Sequence, residues 1–191
     1  MDLQTRVVNI LTKPAQEWPV IAGETTDAAT LIKSYVAILA AIPAIGSFIG
    51  TVVVGVGMGF LGTFRVSPVR GVATMIVSYV LSIVGVYLAS MVIDKLAPTF
   101  QSESNAIQAL KLVVYASTPT WLAGVLNIIP ALGILGILAG LYGIYLFYLG
   151  VTPLMKTPSD KVIPYMVVSA IVVIVVMVVV GMCVAALSAM F

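Results

Sequence analysis

The chain has 191 residues, of which 61% are hydrophobic and only 8% charged, and its mean hydropathy is +1.19. So few charges cannot give a soluble domain its polar surface, so the composition implies a lipid bilayer as solvent. Nine Lys and Arg against seven Asp and Glu leave a net charge of +2, too small and too scattered for a nucleic-acid partner.

The start, MDLQTR, precedes acids and prolines rather than an apolar run, so it does not read as a cleavable signal peptide, and the first span is expected to act as the insertion signal. From Asp2 to Thr12, Leu3, Val7, Ile10 and Leu11 share one helical face, with Asp2, Arg6, Asn9 and Lys13 elsewhere. Two readings are open: a helix on the membrane surface, or one packed on its own protein. Pro14 ends it, Trp18 beside Pro19 suggests an interfacial anchor, and Asp27 is placed to cap the next helix. Residues 1–30 are thus expected to form a cytoplasmic segment with a short amphipathic helix, and 31–191 a membrane domain.

Residues 31–54 are long enough to cross a hydrocarbon core of about 30 Å and form the first span. Four glycines between Gly55 and Gly62 lower helical persistence, which predicts an irregular or interfacial connection, with a tilted helix or re-entrant turn as alternatives. Residues 71–93, bounded by Arg70 and Asp94, make the second span. The polar stretch from Asp94 to Lys111 is expected outside the hydrocarbon. Residues 112–129 and 131–149 form the third and fourth spans as a hairpin turning at Pro130, and 165–191 the fifth. The fold class is therefore all-α: a polytopic integral membrane bundle of five transmembrane helices.

A cytoplasmic N-terminus puts Arg6, Lys13, Lys33, Lys95, Lys111, Lys156 and Lys161 inside and only Arg65 and Arg70 outside, a seven-to-two split that predicts N-in and C-out. An extra crossing at the glycines would reduce it to five against four. AIPAIG at Ala41 to Gly46 and IIPALG at Ile128 to Gly133 echo each other, and each precedes an aromatic-Leu-Gly tripeptide, at Phe60 to Gly62 and Tyr148 to Gly150. Such an echo arises from an ancestral repeat or by chance in an apolar alphabet.

No ionisable residue falls well inside a span, which disfavours proton-coupled transport. The seven acids are dispersed, histidine is absent, Cys183 stands alone, and no phosphate-binding loop is present, so catalytic residues, metal ligands and cofactors are not expected. Uncharged polarity remains. Pro119 leaves the carbonyl near Tyr115 without its helical donor, and Ser117 and Thr118 can satisfy local polar groups; the break is either a hinge or cavity wall, or a kink repaired by its own hydroxyls. Trp121, Asn127 and Pro130 belong to the same candidate region. Tyr142, Tyr145 and Tyr148 form a drifting stripe, while Gly46 with Gly50 and Gly136 with Gly140 permit close helix packing.

Pro14 with Glu17, Trp18 and Ile21, AAIPAIGSFIG at Ala40 to Gly50, YASTP at Tyr115 to Pro119 and YGIYLFYLG at Tyr142 to Gly150 together resemble the Yip domain family. The resemblance covers nearly the whole chain and implies five spans with a cytoplasmic N-terminus. Eukaryotic members interact with Rab GTPases, but the longer N-terminal region and Asp-Leu-Tyr-Gly-Pro motif of that branch are missing here, which puts a Rab partner in doubt. The short form resembles prokaryotic members and implies a cytoplasmic (inner) membrane. The expected function is non-enzymatic: organising membrane partners or lipid, with a membrane-protein partner or homo-oligomer as candidates. The alternative is a small uncoupled channel or transporter along the third and fourth spans.

Overall fold

Asp2 opens α1 (Leu3–Thr12) by accepting a hydrogen bond from the Thr5 amide at 3.4 Å, as an N-cap does. Pro14, whose missing N–H is no loss in a first turn, then starts α2 (Pro14–Gly23). The computed structural model describes residues 2–57 and 62–188. Five long helices follow the N-terminal pair: α3 (Ala28–Val54), α4 (Pro68–Phe100), α5 (Ala106–Ile128), α6 (Pro130–Met155) and α7 (Val162–Ser188). Even the shortest, 23 residues, exceeds the roughly 20 that a hydrocarbon core requires. The expected all-α bundle of five membrane-spanning helices is what the chain forms.

Two of these helices are irregular within their length, while α4 ends and α6 begins in a 3-10 turn. α3 has π-helical turns at Ile32–Val36 and Ile49–Val54. α5 is α-helical from Ala106 to Ala116, interrupted at Ser117, and finishes in a 3-10 turn at Gly124–Ile128. α4 lies between α3 and α7, and α6 packs on α5 and α2. Hydroxyls fasten the neighbours: Tyr79 donates to the Ala37 carbonyl at 2.9 Å, and Tyr165 to the Ile93 carbonyl at 2.7 Å.

One connection differs from expectation. The polar segment between the second and third spans is far shorter than Asp94 to Lys111, because Asn105 accepts from the Gln108 amide at 3.1 Å and starts α5 five residues before Lys111. After α3, Gly55 takes φ 89°, open to glycine without strain, and turns the chain into β1 (Val56–Gly57). This pairs antiparallel with β2 (Thr63–Phe64), Val56 opposite Phe64 and Gly57 opposite Thr63. The tip, residues 58–61, and the last residues expected in the fifth span, 189–191, lie outside the described residues, as does part of the Phe60 to Gly62 half of the sequence echo.

The dense core sits at the end of the bundle that holds α1 and α2. Ile10, Trp18 and Ile21 are buried there with Tyr35, Leu110 and Leu112. The apolar face of α1 packs on the protein itself, with Ile10 buried and Leu3, Val7 and Leu11 against the core. Trp18 does not act as an interfacial anchor: only 1% of it is exposed. The glycine at 150 leaves room for the indole, and a methyl group there would come within 2.7 Å of it.

Candidate functional site

The break in α5 is closed by groups from three other helices. Ser117 donates its hydroxyl to the Val113 carbonyl at 2.7 Å, so the interruption is partly satisfied within its own helix. Thr118, fully buried, hydrogen-bonds the Tyr35 hydroxyl at 2.8 Å, and the π-turn in α3 carries that tyrosine inward. The Tyr35 and Tyr115 rings meet edge to face at 4.8 Å, and Trp18 approaches Tyr115 at 6.4 Å in the same manner. Pro119 and Trp121 are buried alongside. Tyr115, Thr118 and Trp121 are thus brought together in a packed contact.

Charge enters this contact from the N-terminal pair. Arg6, 3% exposed, forms ion pairs with Glu17 and Glu24, and its guanidinium carbon lies 5.6 Å from the centre of the Tyr115 ring. Glu17, 5% exposed, also accepts from the Asn9 amide at 3.1 Å. Lys111, 1% exposed, donates to the Ile21 and Glu24 carbonyls at 2.8 and 2.6 Å. An ammonium at a helix C-terminus satisfies orphan carbonyls and the negative end of the helix dipole together. Gln108 adds a bond to the Ala22 carbonyl at 2.9 Å. Sequence reasoning missed this cluster. The signal for Arg6 was its place three residues after Leu3 and four before Ile10, on the buried face.

The other candidates are dispersed. Of the tyrosine stripe, Tyr142 turns inward and donates to the Leu11 carbonyl at 2.6 Å, whereas Tyr145 and Tyr148 are 48% and 44% exposed. The stripe therefore does not line one cavity with Tyr115, because steps of three residues drift around a helix of 3.6 per turn. Asn127 donates to Ser47 at 3.2 Å where α3 crosses the end of α5. Gly46 and Gly50 press against the backbone of Gly124 and Asn127 at that crossing, and Pro130 begins the following 3-10 turn. Gly136 and Gly140 have nothing within 4 Å of where a side chain would start. The glycines that admit neighbours on α6 are Gly143, where a methyl group would lie 2.8 Å from the Ala116 carbonyl oxygen, and Gly150.

A trough of about 660 Å³ lies away from the Tyr115 contact, at the opposite end of the bundle, between α3, α4 and α7. Phe48 and Thr51 wall one side, Val184 and Ala185 the other, and Arg70, Thr74 and Ser78 run along its floor. Its size falls within the roughly 300–1,000 Å³ of small-molecule sites. None of the sequence-derived candidates lines it, although Ser47, the partner of Asn127, does.

Comparison with known proteins gives concordant results. The inner membrane protein YohC of Escherichia coli strain K12 is 26% identical over 126 residues, 66% of this chain and 65% of that protein, and YohC of strain O6:H1 matches equally. The match thus spans just under two thirds of the length of these curated relatives. No solved structure matches. The model of the Yip1 domain matches residues 8–181, which run from within α1 to near the end of α7 and include the contact around Tyr115 and the α3 and α4 walls of the trough, with Val184 and Ala185 beyond the match. This chain is an integral membrane protein and belongs to the Yip1 domain family.

Proposed function

We propose that the protein is a non-enzymatic scaffold of the cytoplasmic membrane that holds a lateral partner, lipid or another membrane protein, along the face formed by α3, α4 and α7. The supporting observation is α7 itself. Past Tyr165 and Ser169 it offers Ile171, Ile174, Val175, Val178 and Val179 outward, each about half exposed, and it rests mainly on α4. A helix held from one side leaves most of its apolar surface for neighbours in the bilayer, where close packing rather than water exclusion drives association. The contact around Thr118 supports the same reading, since its hydroxyl is committed to Tyr35 and its neighbours are buried.

The test is photo-crosslinking in native membranes from a reactive side chain at Ile174 or Val178. Discrete adducts from these positions, and none from the solvent-facing Asp160, are expected. A featureless adduct pattern indistinguishable from bulk lipid and protein at every position would overturn the reading.

A further inference from the structure

The trough between α3, α4 and α7 lies in an unusual electrostatic setting. All seven acidic residues sit elsewhere: Asp2, Glu17, Glu24 and Asp27 before α3, Asp94 in the last turns of α4, and Glu103 and Asp160 in the connections at that same end. Arg65 and Arg70 are alone at the trough end, with no acidic side chain of the chain available to pair with them. Arg70, exposed, stands in the first turn of α4, where the chain enters its apolar run. Thr74 and Ser78 follow at intervals of four, so the floor descends from a cation to small, mostly apolar walls over about 12 Å at 1.5 Å per residue. Ser78 and Thr51 have turned their hydroxyls back onto their own helices, at 3.0 and 2.8 Å, which leaves methyl and methylene surface facing the space.

A cation at the polar boundary with an apolar channel running inward from it complements an amphiphile with an anionic head. We propose that the trough seats a glycerophospholipid, its phosphate on Arg70 with Arg65 near, and one acyl chain lying along Thr74 and Ser78 against Val184 and Ala185. The charge supplies the selectivity, because guanidinium matches phosphate oxygens in a bidentate geometry that lysine lacks. The assignment rests on the scaffold reading and names its lateral partner.

The full chain is purified in mild detergent from membranes of phosphatidylethanolamine and phosphatidylglycerol, then weighed intact by native mass spectrometry after detergent exchange. One retained phospholipid per chain is expected. R70Q, a surface change, should lower its occupancy about tenfold, the loss of a charge-assisted contact, with R70K intermediate. T74F, which fills the trough, should lower it independently. If T74F fails to fold, R70Q still decides the matter. Undiminished phospholipid on R70Q overturns the proposal, as does a retained lipid that lacks phosphate. A protein, including a second copy, crosslinked from Thr74 in place of lipid overturns the assignment but not the scaffold. Uniform adducts from α7 would remove the scaffold instead.

Discussion

Replacing Arg6 tests how the N-terminal pair is held. In R6A, Glu17 stays 5% exposed with only the Asn9 amide, at 3.1 Å, for company. Leaving one partner of a buried ion pair uncompensated costs about 3–5 kcal/mol. Glu24 is 35% exposed at its side chain and can regain water, so its share is small. Loss of the guanidinium over Tyr115 adds roughly 1 kcal/mol. E17A alone should cost a similar amount, through the stranded arginine. R6A/E17A removes both charges, so its cost should fall short of the sum by about 3 kcal/mol, the upper range of coupling between contacting residues. The readout is hydrogen exchange of residues 3–23 in nanodiscs, which follows release of this pair from the bundle even where the five long helices stay folded. Single-mutant costs that add to within about 0.5 kcal/mol would refute the argument, since independent sites behave that way.

Other substitutions probe separate contacts. G150L should destabilise by about 1–3 kcal/mol through collision with the Trp18 indole, while G136A, facing open space, stays within about 0.5 kcal/mol, both read from melting in detergent. K111M leaves the Ile21 and Glu24 carbonyls without their donor and should cost about 1–3 kcal/mol, visible as faster amide exchange in α2. Asp27 gives a pH dependence. The Thr30 hydroxyl and amide, bonded at 2.7 and 2.9 Å, hold its carboxyl below the usual carboxylate range. A lowered folded value means that this cap contributes fully above pH 3.8, the unfolded value, and is lost as pH falls through the folded one. The advantage of wild type over D27A in melting temperature should therefore be constant above about pH 5 and shrink below about pH 4.

The five spans could be read from the sequence because hydropathy over some twenty residues needs no partner to be meaningful. What depended on contacts between distant positions could not. Arg6 meets Glu17 and Glu24 across the break at Pro14, and Tyr115 from a different helix, so its charge read as a solvated boundary marker. Lys111 reads as the end of a polar loop because Asn105, one of several polar residues there, is marked as the cap of α5 only by its bond to the Gln108 amide. Small residues were visible as a class, but their partners were not: the four-residue spacing picked out Gly136 and Gly140, whereas Gly143 and Gly150, seven apart, meet Ala116 and Trp18. The trough leaves no mark in the sequence because three helices build it, each contributing residues with no distinctive spacing. In the sequence Arg65 and Arg70 stand out only as the minority side of a charge count.

The central claim is that this bundle acts by lateral contact and conducts nothing through its broken third span. Reconstitution into liposomes at known density, with release of entrapped ions and small solutes followed over time, tests it most directly. The account predicts leakage equal to that of protein-free vesicles, for wild type and T118V alike. Solute-selective flux in the wild type that T118V or Y35F abolishes would contradict it.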